Sequence, residues 1–393
     1  SMLKRGLNAA GSGFVPERLT LARLARGLKQ NELANSIDRS PAAISKWEND
    51  DYKHAPSKDD LTLLAGALDV QPSWFFKSIN VTENASFFRS LRSELQSARD
   101  RVSAKLIFVH EIFDSLSSRI EFPEVDIPHL VEPDEYKSLT FEQVDKIADR
   151  LREYWGIGED PIDDLMTIIE NCGVIVADDY LVSAKLDGVS SWFDDRPVIL
   201  LAKDKDTGVR RRFDAAHELG HIVLHRYVTK KQLEADWRLI EDQAMAFAAA
   251  FLLPASTFAH SVHDTSLDAI ANLKPIWKVS IGAMIMRLKT LSLIDDSESK
   301  NLWKYYSYRQ WRGNEPHDNE IELESPLNLA SAIDMLSEDG VLEVRDFFES
   351  SGLSVNDIVS LTGVDQSLLS FNRKSTPKLK LVKNHSALSA AND

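Results

Sequence analysis

Cysteine is nearly absent from this chain. One Cys172 in 393 residues excludes an internal disulfide and fits a reducing compartment, and the thiol reads as packing material beside Ile169. No apolar run approaches the roughly 18 residues that a membrane-spanning helix needs. The first residues do not read as a secretory leader. A cytoplasmic location is the expectation. Positive charge is also scarce: 46 Lys and Arg stand against 61 Asp and Glu, a net charge of −15. The deficit is uneven. Residues 1–56 carry nine Lys/Arg and six Asp/Glu, or +3, which leaves −18 for the rest. Only that N-terminal block invites nucleic acid; the acidic remainder would repel it.

Core material is ample, with 43% hydrophobic residues, and the length suits two or three domains. The most informative stretch is Arg212-Phe213-Asp214-Ala215-Ala216-His217-Glu218-Leu219-Gly220-His221-Ile222-Val223-Leu224-His225. Its centre is His-Glu-x-x-His. Residues four apart share one helical face, so His217 and His221 can aim two imidazoles at one ion. Glu218 lies about 100° round from His217, within reach of a water at that ion. Leu219, Ile222 and Val223 form a separate apolar face that can bury the helix.

A catalytic zinc needs a third protein ligand. His225 lies about 12 Å along the helix axis from His217, too far to share its ion; it reads as a helix-end, second-shell or substrate group. Tyr227 stands where a longer three-histidine motif would place its last His, and Leu224 replaces the Gly of that motif. Glu241 is favoured, with Asp242 and Asp236 as alternatives. It opens Glu241-Asp242-Gln243-Ala244-Met245-Ala246-Phe247, part of a strong helix ended by Pro254. An antiparallel return helix fits the gap. Gly220 and the alanines at 244, 246, 248, 249 and 250 would let the two helices approach closely.

Arg-Arg-Phe-x-x-Ala-His-Glu-Leu-Gly-His-x-x-Leu-His, followed by Glu-x-x-Ala-x-x-Phe-Ala-x-x-x-Leu-Leu-Pro, resembles the ImmA/IrrE family of metallopeptidases, over about residues 125–290. The resemblance implies a gluzincin-like site: His217, His221 and Glu241 on zinc, or on another divalent ion such as Mn2+, and Glu218 as base. It also implies a repressor-type protein as substrate. Met245 departs from the family, where an acidic residue or Asn is usual.

The N-terminal block reads as five short helices over 16–76. Gly27 stops the first, and Ser40 caps the third with Pro41 at its first position. Gln30, Leu33, Ala34, Ile44, Ser45, Trp47 and Glu48 resemble the Cro/CI-type (XRE) helix-turn-helix family. That resemblance implies Gln30 on a DNA phosphate and the 40–46 helix in the major groove of a double-stranded operator. Pro41 departs from it, since a base-reading Gln is common there. Base contacts would fall to Ser40, Ser45 and Lys46, with Ala42 against thymine methyls.

Residues 84–121 read as one long helix or two. Phe88, Leu91, Leu95, Ala98, Val102, Leu106, Val109, Phe113 and Leu116 step nearly as a heptad, which would suit either a homodimer seam or packing on the peptidase. Helices follow at about 140–155 and 161–171, then strands at 173–178, 186–193 and 198–203. The strand 198–203 is the candidate edge for pairing with substrate backbone.

The expected fold is α+β and mostly helical. A helix-turn-helix domain (1–78) leads through a helical connector (79–124) to a zincin-like metallopeptidase domain with a small sheet (125–292). A helical C-terminal region (293–393) follows, with a disordered basic tail. The expected function is a DNA-bound zinc endopeptidase in a bacterial or prophage stress or defence switch. The competing readings are a regulator that uses the peptidase fold as sensor or scaffold, and an antitoxin or phage-defence component.

Overall fold

A computed structural model describes residues 13–49, 55–78, 87–88, 96–180, 187–204 and 207–371. The chain opens with α1 (Pro16–Ala25), α2 (Gln30–Ser36), α3 (Pro41–Glu48) and α4 (Lys58–Leu68), then a 3-10 turn at Pro72–Phe76. Local signals set these limits. Ser40 is extended, and its hydroxyl accepts from the Ala43 N–H at 3.2 Å, so α3 starts there. Ser57 and Asp60 form a capping box on α4. Gly27 takes φ +69°, a left-handed turn that lets the chain double back after α1.

Next come the two-residue strand β1 (Phe87–Phe88) and the long helix α5 (Gln96–Ser117). The heptad-like stripe of α5 is not an open seam. Val102, Leu106, Val109, Phe113 and Leu116 are buried in one core with the helix-turn-helix residues and one face of the sheet. Leu91 and Leu95 lie outside the described residues.

Helices α6 (Phe141–Tyr154) and α7 (Leu165–Asn171) precede β2 (Ile175–Asp179), β3 (Gly188–Phe193) and β4 (Arg196–Ala202). The sheet order is β1-β3-β4-β2. The hairpin between β3 and β4 turns at Asp194, with φ +51°, and β2 runs parallel to β4. This placement corrects the expected substrate edge. β4 holds residues 198–202 between β3 and β2, so both of its edges are already paired. A strand is interior or peripheral according to non-local pairing, which local pattern does not encode.

Alternation along the strands divides the interior. Ile175, Ala177, Val198 and Leu200 point into the first core; Val176, Ile199, Leu201 and Trp192 point into a second. That second core is built by α8 (Gly208–Leu224) and α9 (Lys230–Leu252), with α10 (Ala255–Ser261), α11 (Leu267–Trp277), α12 (Ile281–Thr290) and α13 (Asp296–Tyr308) beyond. The last helices, α14 (Asn328–Asp339), α15 (Val341–Ser351) and α16 (Val355–Thr362), return to the first core. Among the described residues there are sixteen α-helices and one small sheet. The fold is α+β and mostly helical. No single described helix is long and apolar enough to cross a membrane.

The first core joins the two ends of the chain. Gln71 N donates to Gly352 O at 2.9 Å. Arg26 pairs with Asp357, and Lys105 bridges Asp357 and Asp179 at 3.0 and 3.2 Å. Residues 352–371 therefore buttress the helix-turn-helix block from inside the molecule.

Candidate metal centre

Helix α8 is almost wholly enclosed, with only Arg210 and Phe213 outside the buried class. Its start is wedged against the 321–322 backbone: a Cβ on Gly208 would stand 2.5 Å from Glu322 O, so only glycine fits. Arg211 pairs with Asp178 and Arg212 with Glu324, which neutralises two buried guanidiniums. After a short turn, α9 starts with a Thr229–Gln232 capping box and kinks at Asp236. The return is antiparallel and close. A Cβ on Gly220 would come 3.1 Å from Phe247 and 3.2 Å from Ala244 O, so this glycine sets the helix separation.

That separation brings three candidate ligands together. His217 Nε2 and His221 Nε2 are 3.0 Å apart. Each lies 3.4 Å from a Glu241 carboxylate oxygen. Bonds of about 2.0–2.1 Å from a tetrahedral centre set neighbouring ligand atoms about 3.3–3.4 Å apart, so the donor set fits a small divalent ion. Both imidazoles are 1% exposed and the carboxylate 13%, so of the three only Glu241 meets solvent appreciably. Burial alone would raise the Glu241 carboxyl, but the two imidazoles beside it outweigh that and hold it well below the usual carboxylate range.

The alternatives sit elsewhere. Asp236 accepts from the Tyr136 hydroxyl at 2.8 Å, and Asp242 is exposed. Tyr227 is exposed and bonds His129 Nδ1 at 2.8 Å. His225 caps the end of α8, fully buried, with Nδ1 3.1 Å from His221 Nδ1. Burial pushes its pKa down to about 3.

Glu218 faces β3. Ser190 Oγ donates to Glu218 Oε2 at 2.7 Å, and a Cβ on Gly188 would stand 3.1 Å from the Glu218 side chain. Sequence reasoning missed Ser190, Gly188 and Gln243, which bonds His225. None belongs to a local motif; Gly188 at a strand start was the one available signal.

Residues 176–289 match the family model of the IrrE N-terminal-like domain, and residues 19–75 match a helix-turn-helix model. The chain joins a helix-turn-helix domain to an ImmA/IrrE-type metallopeptidase domain. No curated protein matches it. Both motif histidines and Glu241 lie inside the peptidase match.

In the helix-turn-helix domain, Ser40 at the N-cap of α3 and Ala42 and Lys46 on it are exposed, Ser45 is half-buried, and Ile44 anchors the helix in the core. Gln30 does not project freely: its amide donates to Glu48 Oε2 at 2.7 Å, and Arg23 also binds the Glu48 carboxylate. The basic stretch 373–383 lies outside the described residues.

Proposed function

We propose that this protein is a DNA-binding, zinc-dependent endopeptidase that cleaves a repressor-type transcription regulator in the cytoplasm, as part of a bacterial or prophage stress or defence switch. The observation that carries the reading is the convergence of His217, His221 and Glu241, one residue along α8 from Glu218. Two imidazoles and one carboxylate suit zinc. When bound, such an ion supplies Lewis acidity that polarises a peptide carbonyl and makes water a nucleophile near neutral pH.

The chain's own residues supply the rest. Glu218 takes a proton from the attacking water as its oxygen bonds to the carbonyl carbon. The same carboxyl then gives that proton to the departing amide nitrogen as the C–N bond breaks. Ser190 holds one oxygen of that carboxylate, which fixes its direction. The helix-turn-helix domain would hold the peptidase at operator DNA, where repressors concentrate.

The test is incubation of zinc-loaded protein with repressors encoded beside it. Wild type should cut one of them. Glu218→Gln should keep its zinc and lose at least about 10²–10⁴ in rate. His221→Ala and Glu241→Ala should each lose the metal. Cleavage by Glu218→Gln at the wild-type rate would refute the mechanism.

A further inference from the structure

A buried chain of hydrogen bonds leads away from His221, and each link fixes the next. It starts at two backbone carbonyls. Gln243 Nε2 lies 2.7 Å from Tyr136 O and 3.4 Å from Leu139 O. Carbonyl oxygens only accept, so the amide's NH2 must face them, and Oε1 must face the other way. There it meets His225 Nε2 at 3.0 Å. Oε1 only accepts, so His225 Nε2 carries the hydrogen. His225 has no exposed surface, and such burial favours the uncharged ring; its lone pair is then on Nδ1, which faces His221 Nδ1 at 3.1 Å. His221 must donate across that contact. Its hydrogen is on Nδ1, and its lone pair is left on Nε2, the atom 3.4 Å from Glu241 Oε1.

We propose that His225 and Gln243 are positioning residues for His221: together they fix which ring nitrogen presents a lone pair to the metal centre. The proposal rests on the reading that His217, His221 and Glu241 bind the ion. A histidine ligand usually hands its outer N–H to a carboxylate, a backbone carbonyl or water. Here a neutral imidazole takes that place, so the buried site gains orientation without a second negative charge. The arrangement is rigid. His225 and Gln243 have no exposed surface, and the Tyr136 ring stands edge-on to His225 at 6.2 Å. Helix α9 thereby serves the centre twice, through the Glu241 carboxylate and, two residues on, through the anchor of this relay.

The full-length protein is titrated with zinc against a competing chromophoric chelator. His225→Phe keeps ring volume but offers no acceptor, and should weaken zinc binding about 10–100-fold, as should Gln243→Leu. His225→Asn sets a carbonyl oxygen near the position of Nδ1 and should recover most of the affinity. Nitrogen–proton NMR of the zinc-loaded wild type should find the His221 hydrogen on Nδ1 and the His225 hydrogen on Nε2, a readout independent of whether any variant folds. Wild-type affinity in His225→Phe, or equal loss in His225→Phe and His225→Asn, would overturn the relay, as would an Nε2–H tautomer at His221. Retention of zinc by both His221→Ala and Glu241→Ala would instead overturn the ligand reading. Loss of zinc in those two with no effect at His225 would sink the relay alone.

Discussion

Ser190 Oγ donates to Glu218 Oε2 across 2.7 Å, from a central position of β3 to the metal-side helix. A hydrogen bond to a charged group contributes about 1.5–3 kcal/mol. Ser190→Ala should therefore slow cleavage about 10–100-fold, with zinc content unchanged. Gly188→Ala should act at the same carboxylate by crowding, since its Cβ would press on the Glu218 side chain. Steady-state rates on zinc-loaded variants check both, and normal turnover in the two would remove β3 from the mechanism.

Operator binding should depend on Lys46, exposed on α3. Lys46→Ala should weaken binding and lower the salt slope by about one counterion. Fluorescence anisotropy at several salt concentrations measures both. An unchanged slope would mean that Lys46 does not touch a phosphate.

Much of this was legible from sequence because the signals are local. Helical spacing places His217 and His221 on one face, Ser40 announces the start of α3, and Pro254 follows the end of α9. Gly220 was rightly expected to let α8 and α9 approach. The rest depends on contacts between distant residues. Nothing local marks Ser190 or Gln243 as neighbours of the centre, and strand order is set by pairing. The apolar stripe of α5 looked the same whether it met a second chain or this one.

That stripe gives a prediction. Leu106 and Val109 are buried between the helix-turn-helix block and the sheet. Leu106→Ala should cost about 2–5 kcal/mol of stability and leave the solution mass unchanged. Light scattering beside a thermal melt decides. A fall in mass with an unchanged melt would restore the dimer seam.

Acid should loosen the join between the chain ends. Burial would raise the Asp357 carboxyl, but its hydrogen bonds with Arg26 and the charge of Lys105 outweigh that and lower it. The pair's stabilisation is therefore complete above the ordinary carboxylate value of about 4 and is lost as pH falls through the depressed folded value. Asp357→Asn should cost up to about 3 kcal/mol near neutral pH, because half-buried Arg26 loses its carboxylate partner and buried Lys105 keeps only Asp179. The gap between wild type and variant should close as pH drops below about 4. A gap that is constant with pH would mean that Asp357 is not ionised in the folded protein.

Arg26 and its partner Asp357 are 331 residues apart in sequence. During synthesis α1–α4 emerge well before α14–α16, the helices that complete their packing. Until then α5 and the face of the sheet in the first core lack the apolar cover that α14–α16 supply. A nascent chain halted before residue 328 would thus be a client for chaperones, not a working regulator. The same closure means that one backbone nick between α13 and α14 leaves both fragments docked, so the two pieces, expressed separately, should reassemble.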